Sequence, residues 1–290
     1  MTQMTAVAPR VRVAMEAMSD SLTPSERRLR SVILADYPFA ALGPILDLAE
    51  RANVSAPSIS RFVAKLGYRG FQEFQQSLLA ELKESQSSPI ELHGKQAPAV
   101  AHALTDCATR AIALTRDMAD RMPPDQFDRI CAMLADPRRR VFMLGGRMSD
   151  AIAQYFLRHL RQIRADVFHV PPDLEHWPDY LLRMRPRDVV VIFDFRRYDP
   201  KLARFATQAR GRKAQTVVIT DPWISPAAKG AAELVTIPID SGTLWDSYVP
   251  AFTLVEALLV PLAERDWEAT RARISAWDGL RGPSHEETTP

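Results

Sequence analysis

The sequence predicts two domains of different class: an all-α N-terminal helix-turn-helix domain, then an α/β domain with a flavodoxin-like five-stranded parallel sheet and helices on both faces. Three observations predict this. Apolar residues before position 84 recur at helical spacing, a polar run follows, and beyond Pro137 short Val- and Ile-rich runs alternate with amphipathic segments. The expected boundaries are 1–84 for the helical domain, 85–98 for a linker, 99–278 for the α/β domain with its leading helices, and 279–290 for a disordered tail.

The composition is that of an ordinary globular protein, with 47% hydrophobic residues, 25% charged residues and a formal net charge of +2. The two cysteines, Cys107 and Cys131, form no C-x-x-C pair, so we expect neither a zinc site nor a disulfide framework. The first residues lack the apolar core of a signal peptide, and no apolar run is long enough to span a bilayer. We therefore expect a cytoplasmic protein with no metal, cofactor or membrane partner.

In the first domain, the segment 46–66 has the pattern of two short helices joined by a tight turn. Ala49 allows close helix approach, Asn53 suits a left-handed turn, and Ile59 and Phe62 fall where the second helix packs onto the first. Thr23 and Pro24 predict the start of an earlier helix. That helix is expected to end at Tyr37-Pro38. The recognition helix is expected over 57–66, capped by Ser55 and closed by Gly67, and a further helix over 72–84.

The outer face of this hairpin is cationic, because four basic residues and no acidic one lie between Arg51 and Gly70. Such a face, rich in short hydroxyls, suits the phosphates and base edges of double-stranded DNA. Helical hairpins in proteins that do not bind nucleic acid have a similar spacing of apolar residues. The absence of acidic residues from the outer face is therefore the observation that favours DNA binding. The candidate DNA-binding residues are Ser58, Ser60, Arg61 and Lys65 for bases or phosphates, with Ser55, Tyr68 and Arg69 toward the backbone and Pro57 on the same face.

In the second domain, parallel strands predict where a ligand would bind. The expected strands are 141–144, 166–170, 189–193, 216–220 and 234–239, and the expected helices are 99–121, 125–135, 149–164, 174–184, 201–210 and 246–265. The small-residue helices 99–121 and 125–135 either pack on their own domain or pair subunits. In a 2-1-3-4-5 strand order the ligand crevice lies beside strands one and three, where loops 145–149 and 194–199 each lead into a helix N-terminus.

Those two loops carry glycines, hydroxyls and three arginines, which suit a small anionic metabolite. Ser149 is expected to cap its helix and to hydrogen-bond a ligand. The alternative is a tight Gly145-Gly146 turn with the arginines solvated or paired with Asp194 and Asp199. The candidate ligand-binding residues are Gly145, Gly146, Arg147, Ser149, Asp194, Arg196, Arg197, Tyr198 and Asp246.

With both halves in view, residues 54–62 (VSAPSISRF) and 65–74 (KLGYRGFQEF) resemble the signature of the RpiR (MurR/RpiR) family of bacterial transcriptional regulators. The resemblance covers about residues 20–265. It implies a helix-turn-helix domain joined to a SIS, or sugar isomerase, domain that binds a carbohydrate derivative and controls binding to an operator. A homodimer or homotetramer would present its recognition helices to half-sites of a near-palindromic operator.

The SIS half departs from the family pattern. The first loop is commonly G-x-G-x-S, and Arg147 stands where the second glycine would be. The second is commonly S-x-S-G-x-T, whose hydroxyls hold a sugar phosphate, but here it reads DFRRYD from Asp194 to Asp199. The effector could therefore be a sugar phosphate, an acidic sugar or an organic acid, or the site could be degenerate and serve dimerisation alone.

A phosphosugar isomerase is the enzymatic alternative, because isomerases share this sheet. Isomerisation needs a positioned base, for which Glu175, His176, Asp246 and Glu256 are available. None of them stands in a motif that fixes its role. We therefore assign no catalytic residue and expect a regulator rather than an enzyme.

Overall fold

The computed structural model describes residues 11–18, 21–35, 37–85 and 102–281. The chain divides into two compact units, residues 1–87 and 88–290. That division falls inside the expected linker, most of which lies outside the described residues, as do residues 282–290 of the expected tail.

The first unit is helical throughout its described part. Its helices are α1 (Val11–Ala17), α2 (Pro24–Ala35), α3 (Ile45–Ala52), α4 (Ala56–Lys65) and α5 (Phe71–Ser85), with a short 3-10 turn at Phe39–Ala41. Helix α2 starts in a capping box, in which Glu26 N donates to Thr23 Oγ1 at 3.3 Å and Thr23 N donates to Glu26 Oε2 at 2.7 Å. One apolar core, centred on buried Leu48, Ile59 and Phe62, joins all five helices.

The second unit is a three-layer α/β fold. Its helices are α6 (Ala103–Arg121), α7 (Pro124–Ala135), α8 (Asp150–Ile163), α9 (Trp177–Arg183), α10 (Pro200–Gly211), α11 (Val249–Glu264) and α12 (Trp267–Arg281), with 3-10 turns at Leu174–His176 and Pro226–Ala228. Its strands are β1 (Val141–Gly145), β2 (Val167–His169), β3 (Val189–Asp194), β4 (Gln215–Thr220) and β5 (Glu233–Thr236). All strand pairs are parallel, in the order β2-β1-β3-β4-β5.

This order confirms the predicted topology and puts the ends of β1 and β3 side by side. Every residue of β3 is buried, because helices cover both faces of the sheet at its centre. One apolar layer packs the sheet against α7, α8 and α11, and the other packs it against α9 and α10. The carboxyl ends of the strands remain the accessible edge at which a ligand can approach.

Three predicted boundaries need correction. Strand β5 ends at Thr236 rather than 239: Ile237 N still bonds Thr220 O at 2.7 Å, but Pro238 has no N–H to continue the ladder. Strand β2 was expected to begin at Asp166 but begins at Val167, because Asp166 has a positive φ of 58°, which is not an extended conformation. The sequence analysis missed α12, which runs to Arg281, so residues 279–281 of the expected tail are helical.

Candidate functional site

The helix-turn-helix turn forms as the sequence predicts. Asn53 adopts the left-handed conformation with φ 49°, and Val54 N bonds back to Ala49 O at 3.0 Å. Ser55 caps α4, its hydroxyl accepting a bond from Ser58 N at 3.4 Å. This cap fixes the residue at which α4 begins. It thereby fixes which residues of α4 face the core, as Ile59 and Phe62 do, and which face solvent.

The exposed face of α4 carries Pro57, Ser60 and Arg61. Arg61 Nη2 donates to Ser58 Oγ at 3.2 Å, so a cation and a hydroxyl form one polar patch. Ser60 Oγ donates to Ala56 O at 3.3 Å and keeps its acceptor lone pairs. This patch is the part of the predicted DNA-binding set that the structure leaves open to a partner.

Other predicted contacts have partners inside the unit. Lys65 Nζ bonds Ser21 O at 2.7 Å and Glu26 Oε2 at 3.3 Å, which ties the end of α4 to the start of α2. Arg69 pairs with Glu73 at 3.2 Å while remaining largely exposed. The half-buried ring of Tyr68 lies edge-on to Phe74, with centroids 5.5 Å apart. Sequence reasoning did not anticipate these three structural contacts.

In the second unit, the loops after β1 and β3 enclose a cavity of about 340 Å³ at the predicted crevice. Seven of the nine predicted ligand residues line it. The lining residues are Gly146, Arg147, Met148, Ser149, Asp194, Phe195, Arg196, Arg197, Tyr198, Asp199, Pro200 and Tyr248. Arg147 and Arg197 are exposed at the rim.

Gly145 and Asp246 do not line the cavity. A Cβ on Gly145 would lie 2.4 Å from Asp150 N, so this glycine allows the close approach of β1 to α8. The expectation that Ser149 caps α8 is wrong. Its buried hydroxyl donates to Phe193 O at 2.6 Å and accepts from Gly146 N at 2.9 Å, which ties the two loops together.

Acidic groups form the inner wall of the cavity. Asp194 is 2% exposed and accepts a hydrogen bond from the Ser225 hydroxyl. The pKa of Asp194 is raised to about 7, chiefly by burial; the hydrogen bonds from Ser225 and Asp199 N lower it, and the charges of Asp221 and Asp199 add to the rise. Asp199 caps α10, accepting from Lys201 N at 2.9 Å.

The alternative pairing of the arginines with Asp194 and Asp199 does not occur for Arg196. Its guanidinium faces Asp246 at 3.5 Å and Asp240 at 3.8 Å, and its carbon lies 4.3 Å from the centre of the Trp223 ring. Burial raises the pKa of Asp246 to about 6 although the Arg196 charge opposes that shift. Asp246 is thus a counter-ion of Arg196 behind the cavity wall.

A second carboxylate behind the cavity organises its backbone. The buried Asp221 accepts bonds from the Tyr198 hydroxyl at 2.5 Å, from Arg196 N at 2.5 Å and from Trp223 N at 3.0 Å. Burial raises the pKa of Asp221. Sequence reasoning missed Asp221, Trp223 and Ser225, and extending the strand-end argument to β4 would have found them.

The isomerase candidates are scattered in the structure. Glu175 and His176 lie exposed in the 3-10 turn before α9, and Glu256 on α11 accepts a hydrogen bond from Tyr155 at 2.9 Å. Across residues 11–18, 21–35, 37–85 and 102–281, no three His, Cys, Asp or Glu side chains are grouped to hold a metal ion. Within the same ranges no helix has the length and apolar character needed to cross a membrane.

Two family models match this arrangement. The helix-turn-helix domain of the rpiR family matches residues 11–85, and the SIS domain matches residues 133–261. The chain belongs to the RpiR family. This confirms the resemblance on which the sequence analysis relied, and it assigns DNA binding to the first unit and the SIS fold to the second.

Curated relatives are similar to this chain in sequence, and solved structures share its fold. The HTH-type transcriptional regulator HexR of Escherichia coli (strain K12) is 23% identical over 249 residues, which are 84% of this chain and 83% of that protein. The sugar isomerase domain of an RpiR transcription factor from Sphaerobacter thermophilus is 18% identical, with a TM-score of 0.57 over 62% of this chain and 99% of that one. Vibrio vulnificus NanR, solved with ManNAc-6P, is 18% identical, with a TM-score of 0.54 over 95% of this chain and all (100%) of that one.

These relatives make the RpiR-family chain a transcriptional regulator and not an enzyme. HexR and an uncharacterized regulator of Providencia stuartii, 20% identical over 196 residues, are both named HTH-type transcriptional regulators.

Proposed function

We propose that this RpiR-family regulator binds operator DNA through the exposed face of α4 and is controlled by a small anionic metabolite in the cavity between the loops after β1 and β3. The observation that carries the ligand assignment is the cavity itself. It lies at the switch point of the sheet, with Arg147 and Arg197 at its rim.

A phosphorylated sugar is the first ligand class to test. NanR, whose fold is similar, was solved with ManNAc-6P, and two exposed guanidinium groups suit a phosphate or carboxylate. The acidic inner wall at Asp194 sets this cavity apart from the hydroxyl-rich loop typical of the family. We therefore expect a ligand whose anionic group lies near the arginines and whose hydroxyl or amino donors point toward Asp194.

The experiment starts from fragments of the source genome that the full-length protein retains at moderate salt. Fluorescence anisotropy then measures affinity for the best fragment with ManNAc-6P, other sugar phosphates, acidic sugars and organic acids. Each is matched with its neutral sugar or alcohol. A change of tenfold or more, about 1.4 kcal/mol, with an anion but not with its neutral analogue supports the proposal.

Two results would contradict it. If no genomic fragment is retained, the DNA-binding assignment of α4 fails. If a fragment is retained but no anion changes its affinity, the assignment of the cavity fails. We further propose that the regulator is a cytoplasmic homodimer or homotetramer, which light scattering on and off DNA tests directly.

A further inference from the structure

The guanidinium of Arg196 is buried but not satisfied. Its side chain is 2% exposed, and none of its three nitrogens has a hydrogen-bond partner. The nearest carboxylate oxygens are those of Asp246 at 3.5 Å and Asp240 at 3.8 Å. Charge-assisted bonds are about 2.7–2.9 Å long. The two aspartates therefore balance the charge of Arg196 without using its donors.

The surroundings hold this group in place. The Trp223 ring covers one face of the guanidinium, and Asp221 holds the backbone N–H of Arg196 at 2.5 Å. A buried cation with unused donors costs stability, since each donor has lost its water without gaining a partner. A fixed, unsatisfied guanidinium is in turn prepared to bind a planar or tetrahedral oxyanion with two parallel N–H bonds.

Arg196 also connects the cavity with a second loop. It lines the cavity, whereas Asp240 and Asp246 lie outside the lining, on the loop between β5 and α11. Tyr248 at the end of that loop lines the cavity and packs on Phe195, with ring centroids 5.2 Å apart. Arg196 thus joins the lining of the cavity to the loop that holds its counter-ions.

We propose that Arg196 anchors the acidic group of the ligand and that Asp240 and Asp246 are the counter-ions the ligand replaces. This rests on the proposed function and gives the ligand a compact carboxylate or phosphate. The incoming oxyanion takes the donors that the aspartates leave unused. Its charge then repels Asp240 and Asp246, so the loop between β5 and α11 moves away from Arg196.

The same loop is bonded to helix α6. Arg110 Nη1 on α6 donates to Ser241 O at 2.9 Å. Gly242 has a positive φ of 64°, and a Cβ there would lie 2.7 Å from Arg110 Nη1, so loop and helix fit closely. In the sequence α6 directly follows the segment that leads from the DNA-binding unit. Release of the loop by the ligand therefore acts on the first helix of the SIS unit.

Inorganic phosphate is the probe, titrated calorimetrically into the full-length protein at constant ionic strength. Removing the competing charge in Asp246→Asn is expected to tighten phosphate binding about tenfold over wild type. Arg196→Lys keeps the charge but loses the bidentate geometry, and we expect it to weaken binding about tenfold. Arg204→Gln, at an exposed arginine of α10 outside the cavity lining, is the matched control, with a change below about threefold. Near-UV circular dichroism checks that each variant is folded.

Equal phosphate affinity in wild type and Asp246→Asn would overturn the proposal, and so would the absence of binding in both. Loss of binding in a further variant, Arg197→Gln, with no change in Arg196→Lys would move the anchor to the rim and overturn it as well. Hydrogen exchange gives a second readout, since saturating phosphate should speed exchange in residues 240–248 of wild type. Unchanged or slower exchange there contradicts loop release.

These outcomes separate the two proposals. If phosphate binds more tightly to Asp246→Asn but no metabolite changes operator affinity, the proposed regulation fails and the role of Arg196 stands. If a metabolite changes operator affinity but all variants bind phosphate alike, only the role of Arg196 fails.

Discussion

The Ser225 hydroxyl donates a hydrogen bond to Asp194 Oδ2, and this bond links the loop after β4 to the inner wall of the ligand cavity. Burial is the main cause of the raised pKa of Asp194. A carboxyl group in this setting resists ionisation, so its cost to the fold depends on pH.

We therefore predict that Asp194→Asn stabilises the second unit more at high pH than at low pH. The pKa of about 7 in the folded protein lies above the ordinary aspartate value of 3.8, so wild type loses stability as pH rises from about 4 to about 7. Asn keeps an acceptor for Ser225 and removes this loss. From pH 5 to pH 8.5 the advantage of the variant should grow by about 2 kcal/mol.

Urea unfolding followed by tryptophan fluorescence measures this, because all five tryptophans lie in the second unit. Wild type and variant are compared at each pH, so that titrating groups distant from Asp194 contribute equally to both. An advantage that is constant or shrinks with pH would contradict the prediction.

We predict that Gly145→Ala strongly destabilises the second unit. The new Cβ would lie 2.4 Å from Asp150 N, a backbone atom at the start of α8 that cannot rotate away. Separating β1 from α8 should cost about 1–3 kcal/mol or more. The matched control is Gly279→Ala on α12, where no atom lies within 4 Å of the added Cβ and helix propensity favours alanine by about 1 kcal/mol. The same fluorescence assay compares both, and equal effects would argue against the close approach.

Features of the fold and of the site that depend on neighbouring residues can be predicted from the sequence, whereas contacts between residues distant in the sequence cannot. The strand and helix segments, the Asn53 turn and the Ser55 cap follow from local patterns, because periodicity and backbone preference act over a few residues. The crevice follows from topology alone. The partners of Arg196 do not, since Asp240 and Asp246 lie far from it in the sequence, on the loop that follows β5. The sequence analysis offered Asp194 and Asp199 as the alternative partners of the arginines. In the structure Asp194 accepts a hydrogen bond from Ser225, and Asp199 caps α10.

Lys65 is predicted to serve the fold as well as DNA. Its bonds to Ser21 O and Glu26 hold the end of α4 against the start of α2. The pKa of Glu26 is lowered, first by the capping bond from Thr23 N and also by Lys65. Because the pair is partly exposed, Lys65→Ala should cost about 1 kcal/mol or less in the first unit. Differential scanning calorimetry of the full chain measures it. An unchanged transition of the first unit would make Lys65 a DNA contact only.

Arg61 is the side chain we expect to matter most for DNA, since it is exposed on α4 and pairs only with the Ser58 hydroxyl among the bonds described for it. Arg61→Ala should weaken operator binding by about 1–3 kcal/mol if the contact is a base, with relaxed specificity at one position. If the contact is a phosphate, binding to all sequences weakens and the salt slope falls by about one.

Operator titrations at several salt concentrations, with operator and scrambled DNA, distinguish these cases. Arg28→Ala is the charge-matched control, because Arg28 is an exposed arginine on α2 that contacts Ser25. Equal losses in the two variants would mean that α4 contributes general charge and not a specific contact. A loss confined to Arg61→Ala places the guanidinium of α4 at the DNA, as the capped start of that helix at Ser55 predicts.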